Sequence, residues 1–109
     1  MLRESDYFKI KVTVPKANVE EVRNALGQAG AGKMGNYEYC SYSYPVKGKF
    51  RPTEGANPTI GSISVLETVE EECIECICHK DILESVIAEL KRVHPYEEPA
   101  FDIIKRWEV

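Results

Sequence analysis

Residues Gly30–Gly61, GAGKMGNYEYCSYSYPVKGKFRPTEGANPTIG, separate a strand–helix opening from a later strand–helix–strand close. The stretch holds six of the seven glycines and four of the six tyrosines. Lys33, Lys47, Lys49 and Arg51 against Glu38 and Glu54 give it +2 in a chain of net charge −4. The flanks read as ordinary α/β scaffold, so whatever the protein displays is expected here.

Upstream, residues 7–14 alternate: Phe8, Ile10, Val12 and Val14 face one way, Lys9, Lys11 and Thr13 the other. A period of two describes a strand with one buried face, closed here by Pro15. Asn18 with Glu21 three residues later forms a capping-box pattern that opens a helix. Val19, Val22, Leu26 and Ala29 recur at helical spacing, Gly27 weakens the last turn, and Gly30 and Gly32 stop it.

Downstream, Tyr37–Tyr44 is expected as a second strand, because aromatic and hydroxyl side chains suit a pleated surface. Residues 45–59 read as a Gly- and Pro-rich loop. Ile60–Val69 and Cys73–Cys78 carry strand signals on either side of Glu70-Glu71-Glu72, as two strands or as one long strand with a bend. Asp81 with Glu84 repeats the capping-box pattern, and Leu83, Val86, Ile87, Leu90 and Val93 mark the strongest helix. Pro95 should end it near His94, and Ala100–Trp107 supplies a last strand. The order β-α-β-β-α-β predicts an α+β, ferredoxin-like sandwich, with a long Gly-rich insertion between its central strands. At 109 residues, 1–109 is expected to be a single domain.

The bulk numbers exclude some functions. A net charge of −4 argues against non-specific nucleic-acid binding, though the local basic patch allows a small anion. No segment offers the roughly 20 apolar residues of a membrane span. Residues 1–9 lack an apolar signal core, so the four cysteines are expected as reduced thiols in the cytoplasm.

Each candidate motif has a plain structural account. Gly30-Ala31-Gly32-Lys33-Met34-Gly35 matches G-x-G-x-x-G, but these glycines follow a helix and lead into a strand, so the helix offers its carbonyl end to any anion. Cys73-x-x-Cys76 on a strand points to opposite faces and cannot chelate unless the chain turns there. His94-Pro95-Tyr96-Glu97-Glu98-Pro99 groups an imidazole, a phenol and two carboxylates. It also reads as a histidine at a helix C-terminus followed by a rigid turn. Lys47-Gly48-Lys49-Phe50-Arg51-Pro52 is a basic loop suited to an anionic small molecule or an acidic partner surface, or simply a set of solvated charges. No catalytic set and no metal-ligand set stands out, and no cofactor is expected.

Taken together, the Gly30–Gly61 run, the VEEECIE strand and HPYEEPAFDI resemble the domain inserted in NIF-three-like proteins, over about Tyr7 to Trp107. The His94–Pro99 turn also resembles the CutA-type divalent-cation-tolerance proteins, whose trimeric sandwich is related to the PII proteins. The resemblance implies a CutA/PII-like fold, a homotrimer, and a surface built from Gly32, Lys33, Gly35, Asn36, Tyr37, Phe50, Pro52, Gly55 and Pro58. The family's two metals lie in flanking domains, so its hydrolase-like chemistry is not carried over. Glu38 and Tyr39 replace the small or imidazole residues expected before Cys40.

Two functions are weighed. One is a non-catalytic, trimeric binding or regulatory module, its ligand residues being Gly32, Lys33, Gly35, Asn36, Tyr37, Arg51, Pro52, Gly55, His94, Tyr96 and Glu97, in a cleft between subunits that takes a small anion, a metal or a protein partner. The other is a divalent-metal binder of the CutA kind, or a remnant of a dinuclear-metal hydrolase. Two histidines in the chain favour the first.

Overall fold

In the computed structural model, which describes residues 1–109, β1 (Arg3–Pro15) leads into α1 (Val19–Gln28). β2 (Tyr42–Phe50), β3 (Glu67–His79), α2 (Leu83–Val93) and β4 (Phe101–Glu108) follow. The four strands form one sheet in the order β2-β3-β1-β4, antiparallel at every step. This is the expected α+β sandwich, with both helices on one face.

That face carries the core. Ile10, Val12 and Val14 of β1 meet Ile74, Cys76 and Cys78 of β3, and all are buried against Val22, Leu26, Val86 and Leu90 of the helices. Arg23 of α1 adds a polar tether to the edge strand. Its guanidinium donates to Ser41 Oγ at 2.9 Å and to Ser43 Oγ at 2.8 Å, and Ser43 in turn donates to Glu72.

Several boundaries differ from the sequence reading. The second strand is Tyr42–Phe50 rather than Tyr37–Tyr44, and it takes in Pro45 and Gly48 of the expected loop. An edge strand tolerates proline, because one row of its backbone groups needs no partner. Of the two readings open for the acidic run, the single strand holds: Glu67–His79 is 13 residues long, with Glu70, Glu71 and Glu72 opposite Lys47, Val46 and Pro45. Residues 60–66 are loop, not strand. Neither capping box forms as read. Asn18 and Ile82 precede the helices without a side-chain cap, and each helix is entered through a short 3-10 turn. In the second turn His79 Nδ1 accepts the Asp81 amide at 3.1 Å.

Candidate ligand-binding cleft

The open face of the sheet is polar, and its residues follow from strand parity. Lys9, Lys11 and Thr13 of β1 lie in register with Ile77, Glu75 and Cys73 of β3. Tyr42, Tyr44, Val46 and Gly48 of β2 continue the same rows past β3. Glu75 is the hub of one end. It accepts the phenols of Tyr44 at 2.6 Å and Tyr42 at 2.8 Å, and Lys9 Nζ lies 3.2 Å away. These donors, Tyr44 first and then Tyr42, hold the Glu75 carboxyl down at about 2. Bonds to Cys73 and then Glu75 push the Tyr44 phenol well above its ordinary value.

At the other end the loop after β2 and the turn before β4 rise over the sheet. They enclose a cleft of about 690 Å³, within the range typical of small-molecule sites. Its floor includes Lys11, Thr13, Tyr44, Gly48, Glu71 and Cys73; one wall is residues 49–60, the other Tyr96 to Glu98. The walls are fastened to each other. Thr59 Oγ1 donates to the Pro95 carbonyl at 2.6 Å, and Glu97 accepts the Asn57 amide at 2.9 Å. The rings of Phe50 and Tyr96 meet edge-on at 6.0 Å. The loop is also braced from within, where Arg51 Nε donates to the Ser64 carbonyl at 3.1 Å. Four cationic side chains (Lys11, Lys47, Lys49, Arg51) line the cleft against three acidic ones (Glu71, Glu97, Glu98).

The expected site residues fall into separate places. Arg51, Pro52, Tyr96 and Glu97 of this chain line the cleft together. Gly55 sits at the loop tip with a positive φ and open space around it. His94 is buried behind the wall. Its Nε2 lies 2.8 Å from the Thr13 carbonyl, and its Nδ1 accepts the Tyr96 amide at 3.1 Å. The ring therefore clamps the turn to β1, and burial lowers its affinity for a second proton.

Gly32, Lys33, Gly35, Asn36 and Tyr37 lie outside the cleft lining. Gly32 extends the edge of β3 beyond β2, donating to the Ile77 carbonyl at 2.7 Å and accepting the Cys40 amide at 2.9 Å. Its φ of +80° and the backbone of Cys40 against its α-carbon leave no room for a Cβ. Lys33, Gly35, Asn36 and Tyr37 are exposed, in a tight turn closed by reciprocal Met34–Tyr37 backbone bonds.

The floor residues Lys11, Thr13, Tyr44, Glu71 and Cys73 were absent from the sequence-derived site. The signal was there: they share one parity across three strands, but with the run Glu70–Glu72 left open between one strand and two, the register that unites them could not be read. The cysteines are all free; burial pushes Cys76 up to about 12 and raises Cys78 as well. No three His, Cys, Asp or Glu side chains group as a metal ion would need. No helix is long and apolar enough to cross a membrane.

No protein-family model matches the chain. It is 47% identical, over 96 residues, to a GTP cyclohydrolase 1 type 2 homolog of Halalkalibacterium halodurans, covering 88% of this chain and 26% of that protein. The chain thus spans about a quarter of the length of the curated relatives it matches. The crystal structure of a Bacillus cereus protein related to NIF3 superposes with a TM-score of 0.80 at 40% identity, covering 97% of this chain and 26% of that one. The periplasmic divalent cation tolerance protein CutA from Archaeoglobus fulgidus gives a TM-score of 0.65 at 21% identity, covering 90% and 81%, a likeness of fold.

Proposed function

We propose that this chain, a relative of one segment of the NIF3-related GTP cyclohydrolase 1 type 2 homologs, is a non-catalytic binding or regulatory module that assembles as a homotrimer and takes a small anionic ligand. The cleft carries the reading. It has the volume of a small-molecule site, walls fastened to each other, and Lys11, Lys49 and Arg51 in its lining. The groups that would otherwise suggest chemistry are occupied. His94 uses both ring nitrogens on backbone groups, and burial keeps the Cys76 and Cys78 thiols protonated at neutral pH.

On the uncovered face of the sheet Tyr42 and Ile104 stand exposed on opposite edge strands, so a neighbouring chain would have apolar side chains to bury there. The number three is the expectation carried by the CutA-type resemblance.

Native mass spectrometry of untagged protein, purified without chelator, tests both parts. The expected species has three times the 12.4 kDa chain mass and carries extra mass that Arg51→Ala loses. A bare monomer would remove the assembly, and retained metal in place of an organic or phosphate anion would favour a metal-binding role.

A further inference from the structure

Among the groups that line the cleft, Glu71 stands apart. It is 5% exposed, yet no cation lies within ion-pair distance of it. Its Oε2 accepts the Tyr96 phenol at 2.7 Å, and burial followed by this bond raises the Tyr96 phenol well above its ordinary value. Oε1 receives no protein hydrogen bond and packs against the backbone of Gly48, where any Cβ would displace it. No sealed side-chain oxygen or nitrogen in the molecule lacks a partner, so Oε1 opens onto the cleft that Glu71 lines. A carboxylate so far withdrawn from water, with one neutral donor, has acceptor capacity left for another N–H or O–H.

The surroundings define what would bring that donor. Tyr44, Phe50 and Tyr96 supply aromatic surface around the same space, and Lys11, Lys49 and Arg51 supply positive charge free of any ion pair. Aromatic walls accept a flat ring, cations accept phosphate, and a carboxylate accepts ring N–H groups.

We propose that the cleft binds a nucleotide-like anion, a phosphate joined to a flat heterocycle with N–H donors, and that Glu71 is the residue that reads the ring. This rests on the cleft being a ligand site, and it adds a specificity residue and a ligand class. It differs from a glycine-loop phosphate site, because side chains on the sheet and the 49–60 loop hold the anion.

Isothermal titration of the full chain with GMP and, separately, with ribose 5-phosphate tests it. GMP carries ring N–H donors; ribose 5-phosphate carries the anion alone. GMP should bind at least about tenfold more tightly, the effect expected of one added hydrogen bond to a charged group. In Glu71→Gln that advantage should shrink about tenfold, to what ring stacking alone supplies, while ribose 5-phosphate affinity is not weakened, a pattern that a general loosening of the cleft would not produce. Arg51→Ala should weaken both ligands. Equal binding of the two by the wild type would overturn the role of Glu71 and leave an anion cleft standing. Binding of neither would overturn the nucleotide proposal, and only with no retained mass in native spectrometry would the cleft itself fall.

Discussion

The two faces of the sheet are built from alternate residues of the same strands, yet they are stabilised by different physics. On the helix side, Ile10, Val12, Ile74 and Cys76 are buried by packing, and the burial of apolar area is the driving force. On the open side, Glu71 and Glu75 are buried almost as deeply with no helix above them. Tyrosines cover them instead: Tyr42 and Tyr44 over Glu75, Tyr96 over Glu71. Each phenol supplies a donor and a ring at once, so it satisfies the carboxylate while excluding water. One face is specified by shape, the other by hydrogen bonds, and only the second has capacity left for a ligand.

Removing Ile74 from the apolar side should have the largest effect. Ile74→Ala is expected to cost about 2–5 kcal/mol, read as a lower midpoint in urea with an unchanged slope. An effect below that range would show the helix face to be no more demanding than the open one.

Glu75→Gln should cost less at neutral pH, about 1–2 kcal/mol, since one charged acceptor is replaced by a neutral one. Its signature lies in the acid limb. The Glu75 carboxyl is held at about 2 against an ordinary 4.5. Its contribution is therefore complete above pH 4.5 and is lost as the pH falls toward 2. The variant's melting temperature should decline less steeply than the wild type's across that window; parallel curves would break the claim that electrostatics sustain the open face.

His94 gives the smallest effect. Its folded-state value lies below 6.5 through burial, so stability is complete above pH 6.5 and falls as acidification forces a second proton onto the ring. Thermal melts of His94→Asn between pH 7.5 and 5.5 should start lower than wild type and lack that decline. An identical slope in both would place the pH sensitivity elsewhere.

The helix face was legible because its signals are local. The alternation of Phe8 to Val14 and the spacing of Leu83 to Val93 each announce a buried surface within one element. The open face was not, because its order depends on pairing between strands far apart in sequence. Pro45 and Gly48 themselves argue for ending the strand expected up to Tyr44; only the register with Glu72 and Val69 carries it on through them. Ile60, Ile63 and Val65 look like strand residues but belong to the loop beside the cleft, where Ile63 and Val65 stand exposed. The basic loop and the His94 turn were both picked out by their residue types. Their meeting through Thr59, Pro95, Asn57 and Glu97 is a tertiary fact with no local trace. The Gly32–Tyr37 turn drew notice for its glycines, and the structure gives those glycines a backbone reason.

The ends of β1 and β4 pair as far as Arg3 with Glu108, past an irregularity between Glu4 and Phe8. Trp107, the one tryptophan of the chain, stands there 57% exposed. Its indole already samples water in the folded monomer, so its emission colour is a poor witness to unfolding of the core. A blue shift on raising the protein concentration would instead signal a neighbour laid over this ribbon, which makes the native chain its own optical probe of self-association.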